Sequence, residues 1–146
     1  MTKRAMAIAA HPDDIEFMMA GTLILLKESG YEIHYMTLSD GNCGSMILDS
    51  ETTAKVRIQE SKDAAQILGA RYHLPICKDF EIFYDKETLQ KLTAVIRSVQ
   101  PEIILTHSPS DYMEDHMNTC RLTVTAAFVR GIPNYKAGNS IPTNVD

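Results

Sequence analysis

Residues 5–16 read Ala5-Met6-Ala7-Ile8-Ala9-Ala10-His11-Pro12-Asp13-Asp14-Ile15-Glu16, a small and apolar run that breaks into a polar turn. Such a run, stopped by a proline and two carboxylates, predicts a buried strand feeding a helix. Ile15, Met18, Met19, Thr22, Leu23 and Leu26 follow at helical spacing and Gly30 supplies a stop, so one helix is expected there. The unit then repeats. Ile33 to Leu38 is a second strand, Ser39-Asp40-Gly41-Asn42-Cys43-Gly44 a loop, and Ser50 to Leu68 a long helix closed by Gly69. A third strand is expected over Arg71 to Cys77. A helix from Glu87 to Val99 carries Leu89, Leu92, Ile96 and Val99 on one stripe, and Glu102 to Thr106 forms the next strand. Strands that alternate with helices pair in parallel, because a parallel connection is long and a helix supplies the length. The expected class is α/β, a Rossmann-like three-layer α/β/α fold with a mostly parallel sheet.

The 146 residues, 45% hydrophobic and 23% charged, suit one soluble globular domain over 1–146 and exclude disordered or collagen-like chains. Fourteen basic against nineteen acidic residues give a net charge of -5, which disfavours nucleic acid as a partner. Cys43, Cys77 and Cys120 are odd in number and form no C-x-x-C pair, so passive thiols and a cytoplasmic location are expected. Lys3 and Arg4 precede an apolar run, but His11-Pro12-Asp13-Asp14 interrupts it before it reaches the length of a signal peptide core or a membrane span. The tail from Gly131 to Asp146, rich in Gly, Pro and Asn, reads as loop, so the chain is expected to stop before its fold does.

In open parallel sheets the ligand crevice lies beyond the carboxyl ends of the strands. The first strand ends in His11-Pro12-Asp13-Asp14 and the fourth in His107-Ser108-Pro109-Ser110-Asp111, with Asp115-His116 shortly after. His11 and Asp14 approach one point across the turn, and His116 is the best third ligand. Two imidazoles and one carboxylate with an open position are the ligand set of a catalytic zinc, and the same set suits Fe(II). Taken singly, Asp13 or Asp14 is as readily a helix N-cap, and His116 a helix-start or surface histidine. Two His/Asp clusters on one rim favour the metal.

His11-Pro12-Asp13-Asp14-Ile15-Glu16, together with Asp111-x-x-x-Asp115-His116, resembles the zinc-dependent LmbE-like (PIG-L) N-deacetylases over essentially the whole chain. The resemblance implies a zinc-dependent hydrolase that removes an N-acetyl group from an N-acetylglucosamine-type conjugate by attack of zinc-bound water on the amide. It also implies His11, Asp14 and His116 as metal ligands and Asp13 as general base, with Asp111 or Asp115 orienting a histidine. Relatives extend further, so the C-terminal part of the family fold is expected to be absent here.

Many relatives carry a histidine three residues before the second histidine ligand, helping to stabilise the tetrahedral intermediate. Here Met113 stands in that place, and a thioether donates no hydrogen bond. Four outcomes stay open: His107 substitutes, Tyr112 substitutes, the zinc suffices, or the activity is altered. In the last case the chain is a non-catalytic metal- and sugar-binding module. Arg57 and Glu60 on the long helix resemble a pair whose arginine reaches the substrate, although a snorkelling side chain or a plain ion pair fits the pattern as well. Arg57 and Asp40 are therefore second-rank substrate-binding candidates. His34 and His73 read as packed or exposed histidines, and a nucleotide-binding role is weakened because no G-x-G-x-x-G follows the first strand. The expected partner is a small N-acetylated sugar conjugate, with homo-oligomerisation left open.

Overall fold

A computed structural model describes residues 2–143. Its order is β1 (Arg4–Ala9), α1 (Asp14–Met18), α2 (Ala20–Glu28), β2 (Glu32–Thr37), α3 (Ser50–Leu68), β3 (Arg71–His73), α4 (Lys86–Val99), β4 (Ile103–Leu105) and α5 (Glu114–Val129). The four strands form one sheet in the order β3-β2-β1-β4, and every pairing is parallel. This is the expected Rossmann-like α/β architecture. Strand order reverses at β1, which has β2 on one side and β4 on the other, so the carboxyl ends of β1 and β4 border a crevice.

Both faces of β1 are covered, which explains its unbroken apolar run. Met6, Ile8, Met36 and Leu38 pack with Leu92 and Ile96 of α4 and Leu122 of α5. On the opposite face Ala5, Ala7, Ala9, Ile33 and Tyr35 meet Ile15, Met19, Leu23 and Ala65. Asp49 and Asp85 cap α3 and α4 by accepting from the amides of Thr52 and Thr88, and Gly69 ends α3 at φ 68. Among the described residues no helix is long and apolar enough to cross a membrane.

Three expected elements differ in extent. The first helix is divided at Met19, whose φ of -124 leaves the helical range, and the apolar stripe narrows to Ile15, Met19 and Leu23 while Met18 turns to solvent. β3 stops at His73 because Pro75 has no amide to donate; the chain then rejoins the sheet edge through the Ile76 and Cys77 amides, both donated to the Leu38 carbonyl at 2.9 and 2.8 Å. β4 shrinks to Ile103–Leu105. The tail carries no helix or strand as far as residue 143, and residues 144–146 of the expected loop lie outside the described residues. It is nevertheless anchored: the buried Arg97 guanidinium donates to the carbonyls of Val129, Arg130, Ile132 and Tyr135.

His34 and His73 are packed together. His34 Nε2 donates to Glu32 Oε1 at 3.0 Å, which leaves its Nδ1 to accept from His73 Nε2 at 2.8 Å. Burial, with the Arg71 guanidinium nearby, pushes the His73 pKa down to about 4 from 6.5. The unfolded chain therefore takes up this proton first on acidification, and stability present above pH 6.5 is lost as the pH falls toward 4. Urea unfolding across that window should show a loss of about 2 kcal/mol from this site, less than the roughly 3.4 kcal/mol of a fully buried imidazole because the ring is partly screened by solvent, and His73→Asn should flatten the dependence.

Candidate metal centre

The turn after β1 carries three polar side chains, His11, Asp13 and Asp14, around Pro12. Asp13 sits at φ 88, in the left-handed region that aspartate tolerates better than most residues. Asp13 occupies the N-cap position of α1, but neither aspartate side chain caps the helix. Asp14 Oδ2 instead turns back to accept the His11 amide at 2.8 Å, and Asp13 Oδ2 accepts from Arg57 at 2.6 Å.

Asp14 Oδ2 lies 3.4 Å from His11 Nδ1 and 3.4 Å from His116 Nε2, and the ligand atoms of these three residues are all within 4.8 Å of one another. The two 3.4 Å separations are long for hydrogen bonds. They match the ligand–ligand edge of a tetrahedral zinc site, roughly 3.3 Å for bonds of 2.0–2.1 Å. The outer nitrogen of each imidazole is engaged by a carboxylate. His11 Nε2 donates to Asp115 Oδ2 at 2.9 Å, and His116 Nδ1 donates to Asp111 Oδ1 at 3.1 Å. These contacts fix both tautomers, so Nδ1 of His11 and Nε2 of His116 present lone pairs to the shared point. The donor set fits a divalent cation. Asp111 and Asp115 were expected as alternatives for one histidine, and each orients a different one.

Electrostatics agree with a site for positive charge. Burial works against a charged His11, but in the absence of a cation the Asp14 and Asp115 carboxylates prevail and raise its pKa to about 9, so a metal takes the Nδ1 position from a proton. Burial likewise opposes ionisation of Asp14, yet the surrounding imidazoles and the His11 amide hold it well below the usual carboxylate range.

His107 is fully buried and stacks on His116 with ring centroids 4.0 Å apart. Its Nε2 accepts the Ala10 amide at 2.9 Å, and its Nδ1 has no partner among the described residues. It therefore supports the His116 ring and the end of β1 from behind, with no surface open to a substrate. This removes one substitute for the missing histidine. Tyr112, 87% exposed and edge-on to His116, and Met113 both line the pocket in front of the cluster.

That pocket has a volume of about 290 Å³. Arg57 forms one wall, donating to the Pro12 carbonyl at 2.8 Å and to Asp13 while pairing with Glu60 at 2.5 Å. The ion pair weighed in the sequence is thus present together with the pocket position. Gly41, at φ 76, is required beside it, since a Cβ there would come within 2.7 Å of Arg57 Cβ. Asp40 does not line this pocket. Its carboxylate accepts the Asn42 amide at 3.1 Å, and it borders a separate depression with Cys77 and Lys78.

Asp79 and Phe80 line the pocket without having been singled out in the sequence. Asp79 accepts from Ser39 Oγ at 2.7 Å and from the Cys43 amide at 2.9 Å, tying two rim loops together. The available signal was position alone, just beyond the third strand on the rim that carries the histidines. A larger, mainly apolar groove of about 620 Å³ between α2 and α3 contains no member of the cluster, so size does not locate the chemistry.

A Rossmann-like domain with a His-Asp-His cluster at its switch point defines a class of metal-binding α/β proteins. Within it, the chain belongs to the PIG-L family, described as GlcNAc-PI de-N-acetylase, whose profile matches residues 6–127. It is 35% identical to 4-oxalmesaconate hydratase of Pseudomonas putida KT2440 over 95% of this chain and 57% of that one. It is 32% identical to diacetylchitobiose deacetylase of Thermococcus kodakarensis, over 95% and 54%. The solved N,N′-diacetylchitobiose deacetylase of Pyrococcus horikoshii matches with a TM-score of 0.90 at 27% identity, over 98% of this chain and 57% of that one. The chain thus spans little more than half the length of these relatives.

Because a cation must displace the proton held on His11, zinc affinity should rise with pH up to about 9, by about tenfold per unit from pH 7. Replacing Asp115 or Asp111 with alanine should weaken zinc binding about 10- to 100-fold in a chelator competition.

Proposed function

We propose that residues 1–146 form a single deacetylase domain, a zinc-dependent hydrolase that removes the acetyl group of a small N-acetylglucosamine-type conjugate. Family membership and the convergence of His11, Asp14 and His116 support this reading; the observation that carries it is that each histidine has its outer nitrogen held by its own carboxylate. His11, Asp14 and His116 hold the metal, zinc by the chemistry of the set, with Fe(II) the second choice. When bound, zinc acidifies water and polarises the acetamide carbonyl.

The protein side chains do the rest. Asp13 borders the same pocket from the residue between ligands, and Arg57 occupies its Oδ2, leaving Oδ1 to take the proton of the attacking water. The C–N bond then breaks, Asp13 returns that proton to the departing nitrogen, and acetate and a free amine leave. Arg57, half shared with Glu60, keeps Asp13 aimed and offers its remaining edge to the sugar. With His107 buried, the side chain left to donate a hydrogen bond to the oxyanion is Tyr112, whose hydroxyl is carried on the rim of the pocket beside the residues that would hold the metal.

A second reading is water addition to an unsaturated acid, favoured by the 35% identity to a hydratase. The same base would serve it.

Zinc-loaded protein incubated with N-acetylglucosamine conjugates should release acetate, and Asp13→Asn should lower kcat about 10²- to 10⁴-fold while zinc content stays unchanged. Acetate release unaffected by that substitution would remove Asp13 as base, and no release from any conjugate would sink the deacetylase reading.

A further inference from the structure

A second depression of about 290 Å³ adjoins the metal pocket, and Phe80, Tyr112 and Met113 border both. Ile82 and Phe83 extend its apolar wall, and no lysine or arginine lines it. Phe80 and Phe83 are 66% and 58% exposed. One exposed aromatic needs no explanation, but three around a hollow continuous with a candidate active site form a patch.

Phe80 adds an independent observation. Its φ of 63 lies in the left-handed region that bulky L-residues avoid, yet its ring serves no core packing. Its amide donates to Asp115 Oδ2 at 2.8 Å, the same oxygen that accepts from His11 Nε2. The strained backbone thus ties the position of an exposed ring to the carboxylate that orients a metal ligand.

We infer that this depression is a subsite for the aglycone side of the substrate and takes an uncharged, flat-faced ring. The inference rests on the deacetylase reading and adds a substrate class to it. Aromatic faces pack against the C–H face of a pyranose or against an aryl ring. The carboxylates of Glu114 and Asp115 beside them, with no cation lining the hollow, select against a phosphate on the aglycone side.

Binding to the zinc-loaded full chain is measured by calorimetry for four compounds: N-acetylglucosamine, its phenyl glycoside, N,N′-diacetylchitobiose, and the sugar carrying an anomeric phosphate. At least one of the two ring-bearing compounds should bind about tenfold more tightly than the free sugar, and the phosphate no more tightly. Which one gains distinguishes aryl from pyranosyl aglycones. Phe83→Ala, at an exposed residue that borders only the second depression, should bring the preference close to one, and Phe80→Ala should do the same. No gain for either ring, a gain that survives both substitutions, or tightest binding of the phosphate would overturn the subsite. A ring preference that responds to the substitutions without acetate release from any compound would uphold the subsite and remove the deacetylase reading.

Discussion

The carboxylate of Asp14 is the point on which the rest of the rim turns. Its Oδ2 accepts the His11 amide at 2.8 Å and stands 3.4 Å from the inner nitrogens of His11 and His116. One oxygen atom therefore closes the turn after β1 and faces a histidine carried on α5, more than a hundred residues away in sequence. Without a cation, a partly buried carboxylate in that position draws a proton onto His11, which accounts for the raised pKa of the imidazole. With a cation, the same charges become a ligand set. The arrangement has a demand for positive charge built into its backbone.

A second ring of contacts keeps the demand specific. Asp115 and Asp111 hold the outer nitrogens, and His107 supports His116 from below while its own Nε2 grips the Ala10 amide. Arg57 performs the matching task for Asp13, and Gly41 lets the aliphatic stem of that arginine lie against the loop after β2. Acidic and basic groups thus alternate around the pocket, each held by a partner on another element. Such mutual restraint limits the reorganisation a reacting group must undergo.

Relatives of this chain include a hydratase and a deacetylase, both of comparable identity. Outcomes that differ on one family fold point to the pocket rim as the place where specificity is set. Here the rim carries Met113 together with Tyr112 and the strained Phe80. Its apolar character is a property of this sequence that the parallel sheet beneath it does not dictate.

The apolar run Ala5 to Ala10, the Pro and Gly punctuation and the stripe of α4 made the α/β class legible, because burial on both faces leaves an unbroken apolar run and burial on one face a periodic one. The convergence of His11, Asp14 and His116 was legible for a related reason: the first two follow β1 directly and the third sits in the first turn of the helix after β4, and strand ends on one edge of a parallel sheet must share a rim. Lengths at the margins were not, since the break at Met19 and the early end of β3 depend on packing and on one missing proline donor. Nor were the particular partners, Asp115 with His11, Asp111 with His116, Arg57 with Asp13, or the placing of Asp40 outside the pocket and of Asp79 and Phe80 within it. Linear spacing fixes which residues reach an edge, but which side chain there faces which other is decided by strand order and helix rotation, and those exist only once the sheet has closed around β1.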